Sequence, residues 1–231
     1  MHDDEPLVAE SRDVRDQAVE WADRRAAELA RGNVLDLGCG VGRFLREGWV
    51  GLDLDPDRLR YARLRSTRIV RADAHALPFA VETFDAVLAF RMLNAAGAID
   101  AVLAEIRRVL RPAGTLLVLT LAGANDSQLR GVDDAVRRRA ASTGDRLDEA
   151  NGAERLSRWF ANVAAERFVR QFRFDDAAAA LDHYALQYLH RGDPDAAETL
   201  RRFEAARERI RGLALPIDDE QRATLFIARR D

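Results

Sequence analysis

The stretch VLDLGCGVGRFL, Val34 to Leu45, limits the possible folds more than any other part of the chain. Its apolar start is too short for a helix and is closed by glycine, so it reads as a buried strand. Gly38, Gly40 and Gly42 follow in a G-x-G-x-G spacing. Glycines in such a turn permit positive φ and let a ligand approach the backbone. In an open parallel sheet, ligands sit outside the carboxyl ends of the strands. A bare turn at the end of the first strand is therefore a candidate binding site.

The remaining pattern supports such a sheet. Residues 12–31 carry Val14, Ala18, Trp21, Ala22 and Leu29 at helical spacing, and Gly32 fits the stop. Trp49–Asp55, Thr67–Asp73, Phe84–Phe90 and Thr115–Ala122 read as further strands. Pro56 opens a helix to about Leu64. Ile99, Val102, Leu103, Ile106, Val109 and Leu110 form a helical stripe that stops at RPAG. Strands that are continuous apolar runs and alternate with helices indicate a mostly parallel sheet covered on both faces. Helices are expected around Leu129–Ala140 and Asn151–Phe160, then a strand at Ala161–Phe174. Helices over Asp176–His190 and Pro194–Arg211 precede a closing strand, Ala223–Arg230. The last two strands would pair at the sheet edge, with a helical cap inserted between them. One domain, 1–231, is expected: an N-terminal helix or lid (1–31), a cofactor-binding core (32–122) and a substrate-side half (123–231) with cap helices over 176–211.

The ligand can be read from the acids. A dinucleotide fold uses G-x-G-x-x-G with pyrophosphate at a helix start. Here the spacing differs, and Asp36 precedes the turn. A carboxylate there repels an anion and favours a cation. Asp53, ending the second strand, is placed to accept from both hydroxyls of a ribose. Asp73, after the third, can accept from an exocyclic amine such as adenine's. Together they describe a phosphate-free nucleoside joined to something positively charged.

VLDLGCGVGRFL, VGLDLDPDRLRYAR, RADAHALPFAVETFDAVLA and EIRRVLRPAGTLLVLT, in this order, resemble the successive motifs of class I S-adenosylmethionine-dependent methyltransferases. The likeness is to the type 11, ubiquinone/menaquinone-like small-molecule branch, over about residues 30–122. It implies a Rossmann-like seven-stranded α/β sheet with an antiparallel last strand. It implies S-adenosyl-L-methionine as cofactor and S-adenosyl-L-homocysteine as product. Asp36 and the turn with Gly38, Cys39 and Gly40 would hold the amino-acid portion, and Asp53 the ribose. Leu54 would pack on adenine, Asp73 would meet its amine, and the Ala74 N–H a ring nitrogen. Phe90 would lie near the methionine part. The chain departs from the family in a short segment from Gly42 to Asp53, expected to shorten the first helix by a turn. It departs again at MLNAAG, where Asn94 replaces a frequent histidine.

The expected chemistry is methyl transfer to an O, N or C atom of a small-molecule metabolite. RNA or protein methylation, and a non-catalytic cofactor-binding partner or sensor, are the alternatives. His183 is a candidate general base or substrate contact, on a helix whose Leu181, Tyr184 and Tyr188 share a packing face. Arg91 fits either a clamp on a substrate carboxylate or a salt bridge. His75 reads as a solvated loop residue, His190 as a helix-end residue and His2 as part of a tail. The pairs Arg107–Arg108 and Arg201–Arg202 and the run Arg137–Arg139 read as solvated helix faces. Trp21 reads as packing on the sheet or as part of a lid.

Net charge is −3, with 36 basic residues, all arginine, against 39 acids. That balance gives no push towards nucleic acid. The lone Cys39 excludes an internal disulfide, and no second thiol or His–Cys cluster suggests a metal. No apolar run approaches the ~18 residues of a membrane span, and the acidic start MHDDEPLVAE is unlike a secretory signal. A cytoplasmic protein without membrane or nucleic-acid partners is expected, and a homodimer is possible.

Overall fold

The computed structural model describes residues 14–123, 128–137, 146–185 and 196–231. In chain order these form α1 (Val14–Leu29), β1 (Val34–Leu37), β2 (Val50–Asp53), α2 (Pro56–Ala62), β3 (Ile69–Arg71), β4 (Phe84–Phe90), α3 (Leu93–Ala96) and α4 (Ile99–Val109). They continue with β5 (Leu110–Gly123), α5 (Gln128–Arg137), α6 (Gly152–Ser157), β6 (Ala161–Phe174), α7 (Ala177–Tyr184), α8 (Ala196–Arg211) and β7 (Ile217–Arg229). His2, Ala140, Arg138, Arg139, Tyr188 and His190 lie outside the described residues.

The strands make one seven-stranded sheet in the order β3-β2-β1-β4-β5-β7-β6. The pairs β2–β3, β1–β2, β1–β4 and β4–β5 are parallel. Strand order reverses at β1, which puts the ends of β1, β2 and β4 beside a topological switch point. The end of β7 runs antiparallel to β5: Ala113 N–H donates to the Arg230 carbonyl at 3.0 Å, and Arg230 N–H returns to Gly114 at 2.9 Å. RPAG is thus part of a bulged strand rather than a plain stop, and α4 ends at Val109. The expected mixed sheet with an antiparallel last strand is observed, and α7 and α8 stand between β6 and β7 in sequence.

One expected helix is absent. The chain goes from β1 to β2 through turns alone, with no helix after the glycines. Between Leu37 and Val50 there are twelve residues, four of them, Gly38, Gly40, Gly42 and Gly48, in left-handed backbone. So short a connection leaves no room for a helix between two neighbouring strands that must run the same way.

The chain divides into two compact units. One, residues 21–122, 143–168 and 223–231, holds the sheet core and the glycine turn. Its centre is Leu35, Leu37, Leu52, Val87, Leu103, Ile106 and Phe226, all almost wholly buried. Burying each such side chain is worth about 1.5–3 kcal/mol. The apolar stripe of α4, now seen as Ile99, Val102, Leu103, Ile106 and Val109, is entirely inside. Trp21 of α1 packs on Phe168 of β6, ring centroids 5.8 Å apart.

The other unit, residues 1–20, 123–142 and 169–222, has its own core of Leu129, Val132, Ala180, Tyr184, Ala206, Ile210 and Ile217. Polar groups run through it: Tyr184 Oη donates to Asp133 at 3.0 Å, and Arg202 pairs with the same carboxylate at 3.4 Å. Arg202 is therefore no solvated face. A guanidinium at 4% exposure is costly to bury, and the buried acid that faces it offsets that cost.

Candidate cofactor-binding site

The glycine turn is pinned to β2. Gly38 and Cys39 N–H both donate to the Leu52 carbonyl, at 2.7 and 3.0 Å, and Gly40 N–H donates to Asp53 Oδ2 at 2.8 Å. The other oxygen of Asp53 accepts from Asp55 N–H at 2.9 Å. Two backbone donors thus fix the plane of a half-exposed carboxylate. Each oxygen keeps a lone pair, which suits a vicinal diol. Asp55 caps α2 through Asp57 and Arg58 N–H, so the helix holds the end of β2 in place.

Asp36 is the odd member. It is 1% exposed, on β1 among apolar neighbours, and its Oδ2 has no hydrogen-bond partner. Burial, then the nearby charge of Asp53, raises its pKa to about 7. A buried acid kept so uncomfortable is unusual unless a ligand supplies the missing partner. The same burial, reinforced by Asp36, pushes the Cys39 thiol up to about 12, so it is an inert filler.

Gly38 and Gly40 serve different ends. A Cβ on Gly38 would sit 2.5 Å from Cβ of Met92, so the turn is bare because the chain after β4 packs on it. A Cβ on Gly40 would meet only Cδ of Arg58, at 4.0 Å, so that side opens outward. Leu54 is 59% exposed beside Asp53, and Phe90, at the end of β4, stands edge-on to Phe44 with centroids 4.8 Å apart.

Asp73 follows β3, exposed, and Ala74 beside it is buried. His75 corrects the expectation of a solvated ring. It is half-buried, with Nδ1 2.7 Å from Asp73 Oδ1 and Nε2 3.1 Å from the Gly97 carbonyl. The loop around it is fastened to α4: Leu77 N–H donates to Glu105, and Arg108 donates to the carbonyls of Leu77 and Phe79. Arg107 reaches the Trp159 carbonyl and Asp231. This arginine pair, expected in solvent, staples loops together. An i,i+3 spacing of Glu105 and Arg108 was the only sequence signal for it.

Asn94 is committed elsewhere as well. Its amide donates to the Leu147 carbonyl at 2.9 Å and accepts from the Leu147 N–H at 2.7 Å. Where the family resemblance implies a histidine, this chain has a backbone clamp. Arg91 sits exposed in left-handed backbone, φ 61°, its N–H donating to the Leu119 carbonyl. His183 belongs to the other unit. It is 6% exposed, 3.0 Å from Asp219 and packed against the rings of Phe172 and Phe174. The helical pattern placed it off the packing face; the structure buries it in a polar pair that the sequence did not signal.

Among the described residues no helix is long and apolar enough to cross a membrane, and no group of three or more His, Cys, Asp or Glu could hold a metal ion. What the site does offer is a buried carboxylate with one oxygen lacking a partner, a diol-sized acceptor and an exposed acid at three neighbouring strand ends. That set of acceptors fits a cationic nucleoside in an open α/β sheet.

Comparison with known proteins agrees. The family model described as a methyltransferase domain matches residues 35–118. The chain is 31% identical over 179 residues to a malonyl-[acyl-carrier protein] O-methyltransferase of Pseudescherichia vulneris, covering 73% of this chain and 70% of that protein. A fatty-acid O-methyltransferase of Mycolicibacterium smegmatis is 35% identical over 103 residues, 39% of this chain but only 38% of that protein. The chain therefore spans well under half the length of that relative. Among solved structures, a phospholethanolamine N-methyltransferase 2 of Haemonchus contortus has the same fold, with TM-score 0.57 and 16% identity over 98% of this chain and 61% of that one. The chain belongs to the class I S-adenosylmethionine-dependent methyltransferases.

Proposed function

We propose that this chain transfers a methyl group from S-adenosylmethionine to an oxygen of a small acyl-type acid. The observation that carries the cofactor half is the orphaned Oδ2 of Asp36 in β1, just before a turn where Gly38 has no room for a side chain. A buried carboxylate gains most from a ligand ammonium, met directly or through a water. Asp53 would hold the ribose, Leu54 and Ala74 the adenine ring, and Asp73 its amine. When bound, the sulfonium supplies an electrophilic methyl and a neutral leaving group. The protein's share is then to hold the acceptor in line, worth roughly 7–11 kcal/mol for well-placed reactants.

The acceptor half rests on the relatives, whose names specify O-methylation of a fatty acid and of a malonyl-carrier conjugate. A carboxylate acceptor is already anionic and needs no general base. That is consistent with an Asn94 whose amide is spent on the Leu147 backbone. Arg91, beyond the end of β4, is our choice for the group that orients the acceptor; a single contact leaves the second carboxylate oxygen nucleophilic. His183 stands as the alternative base for an acceptor that must lose a proton.

The test is transfer of labelled methyl from S-adenosylmethionine to straight-chain fatty acids and to malonyl thioesters. Methyl ester formation that disappears in Asp53→Ala supports the reading. Label found only in RNA or protein overturns the acceptor class. Tight binding of S-adenosylhomocysteine with no transfer to any acceptor marks a non-catalytic partner.

A further inference from the structure

We infer that His75 is a positioning residue for adenine recognition: a doubly protonated imidazolium that clips the Asp73 carboxylate to the Gly97–Ala98 turn. This deepens the cofactor reading above and rests on it. Both ring nitrogens face acceptors, Asp73 Oδ1 at 2.7 Å and the Gly97 carbonyl at 3.1 Å. A neutral imidazole has one N–H and satisfies only one of them; the imidazolium satisfies both. His75 N–H also donates to Asp73 Oδ1, at 2.9 Å. One oxygen of Asp73 is thus held twice by the same residue, and rotation of the carboxylate is blocked. The other oxygen is aimed by that constraint and is the one left to take an exocyclic amine.

The far end of the clip matters too. Gly97 and Ala98 are both in positive-φ backbone, at 68° and 38°, and alanine there is strained. They join α3 to α4, directly after the segment bearing Met92 and Asn94. The adenine-side loop is thereby tied to the rim that follows β4. The charged groups around the ring are few. Asp73 is the acid in contact with it, and the α3–α4 turn presents a carbonyl. The nearest acid in the first turn of α4, Asp100, is engaged by Arg155 and by the indole of Trp159. The hydrogen bond to Asp73, then that to Gly97, raises the ring's pKa above its ordinary value, in keeping with the charged form.

The experiment uses two neutral nucleosides, adenosine and purine riboside, which differ by the amine; neither carries an ammonium, so Asp36 drops out of the comparison. Binding to the whole chain is titrated from pH 6 to 9, with S-adenosylhomocysteine as a reference ligand. Wild type should prefer adenosine by about tenfold at low pH, the worth of one charge-assisted hydrogen bond. The preference should weaken as pH rises and the imidazolium loses its proton. His75→Ala should cut it to about twofold and flatten its pH dependence, and His75→Gln should recover part of it. Asp53→Ala should weaken both nucleosides alike. An undiminished preference in His75→Ala, or none in wild type, overturns the role of His75. Failure of wild type to bind S-adenosylhomocysteine instead overturns the cofactor reading.

Discussion

Replacing Asp36 by asparagine should stabilise the empty protein and weaken its hold on the cofactor, two effects of opposite sign from one buried oxygen. The ordinary carboxyl pKa is 3.8 and the folded value about 7. A raised acid pKa means that the folded chain binds the proton more tightly than the unfolded one. Stability is therefore unaffected below about pH 4, falls as pH climbs towards 7, and is level above that. Each pH decade between the two values costs ~1.4 kcal/mol, so the whole penalty is on the order of 4 kcal/mol. Asp36→Asn keeps the shape and removes the charge. For a chain this long, ~2–4 °C of Tm per kcal/mol gives a rise of roughly 10 °C above pH 7. The gain should shrink to under half at pH 5. The cofactor should lose the worth of a buried charge contact, ~2–5 kcal/mol or at least thirtyfold in affinity. Thermal unfolding of both proteins at pH 5 and 8.5, with and without S-adenosylhomocysteine, measures both effects. Equal melting at pH 8.5, or equal ligand shifts, would refute the assignment of a strained, ligand-seeking acid.

Asp53→Ala should abolish measurable stabilisation by S-adenosylhomocysteine in the same assay, since it removes the carboxylate that the Gly40 and Asp55 N–H groups hold in place; unchanged affinity would mean the ribose lies elsewhere. Gly152→Ala should lower Tm by the cost of overpacking, ~1–3 kcal/mol, because the new Cβ would lie 2.4 Å from the buried ring of Phe226. A neutral result would show that α6 can slide. His183→Ala should destabilise by ~1–3 kcal/mol in chemical denaturation, since it removes a buried hydrogen bond to Asp219. Comparing turnover of the refolded variant with wild type then separates a base from a structural residue.

The candidate cofactor site could be placed from the sequence because its marks are local. A strand of four residues, a run of glycines and an acid at each strand end are adjacent in sequence, and the sheet order merely gathers them. Asp36, Asp53 and Asp73 could be named from spacing alone. The missing helix after Gly42 was half visible, as a segment counted short; that it vanished altogether follows from the parallel pairing of β1 with β2. Other roles depended on partners far along the chain. Asn94 reads as a lost histidine until Leu147, 53 residues on, is seen against it. Arg108 and Arg202 read as solvated until Leu77 and Asp133 are found beside them. His183 needed Asp219 in the same way.

By itself, then, the sequence determined the strands, the bare turn and the acids beside it, because backbone propensity and burial period are written residue by residue. Only tertiary structure decided which polar side chains are buried and what each one holds. A long side chain can reach solvent or a distant carbonyl with equal ease, and the choice between them is made by packing rather than by its neighbours in the chain.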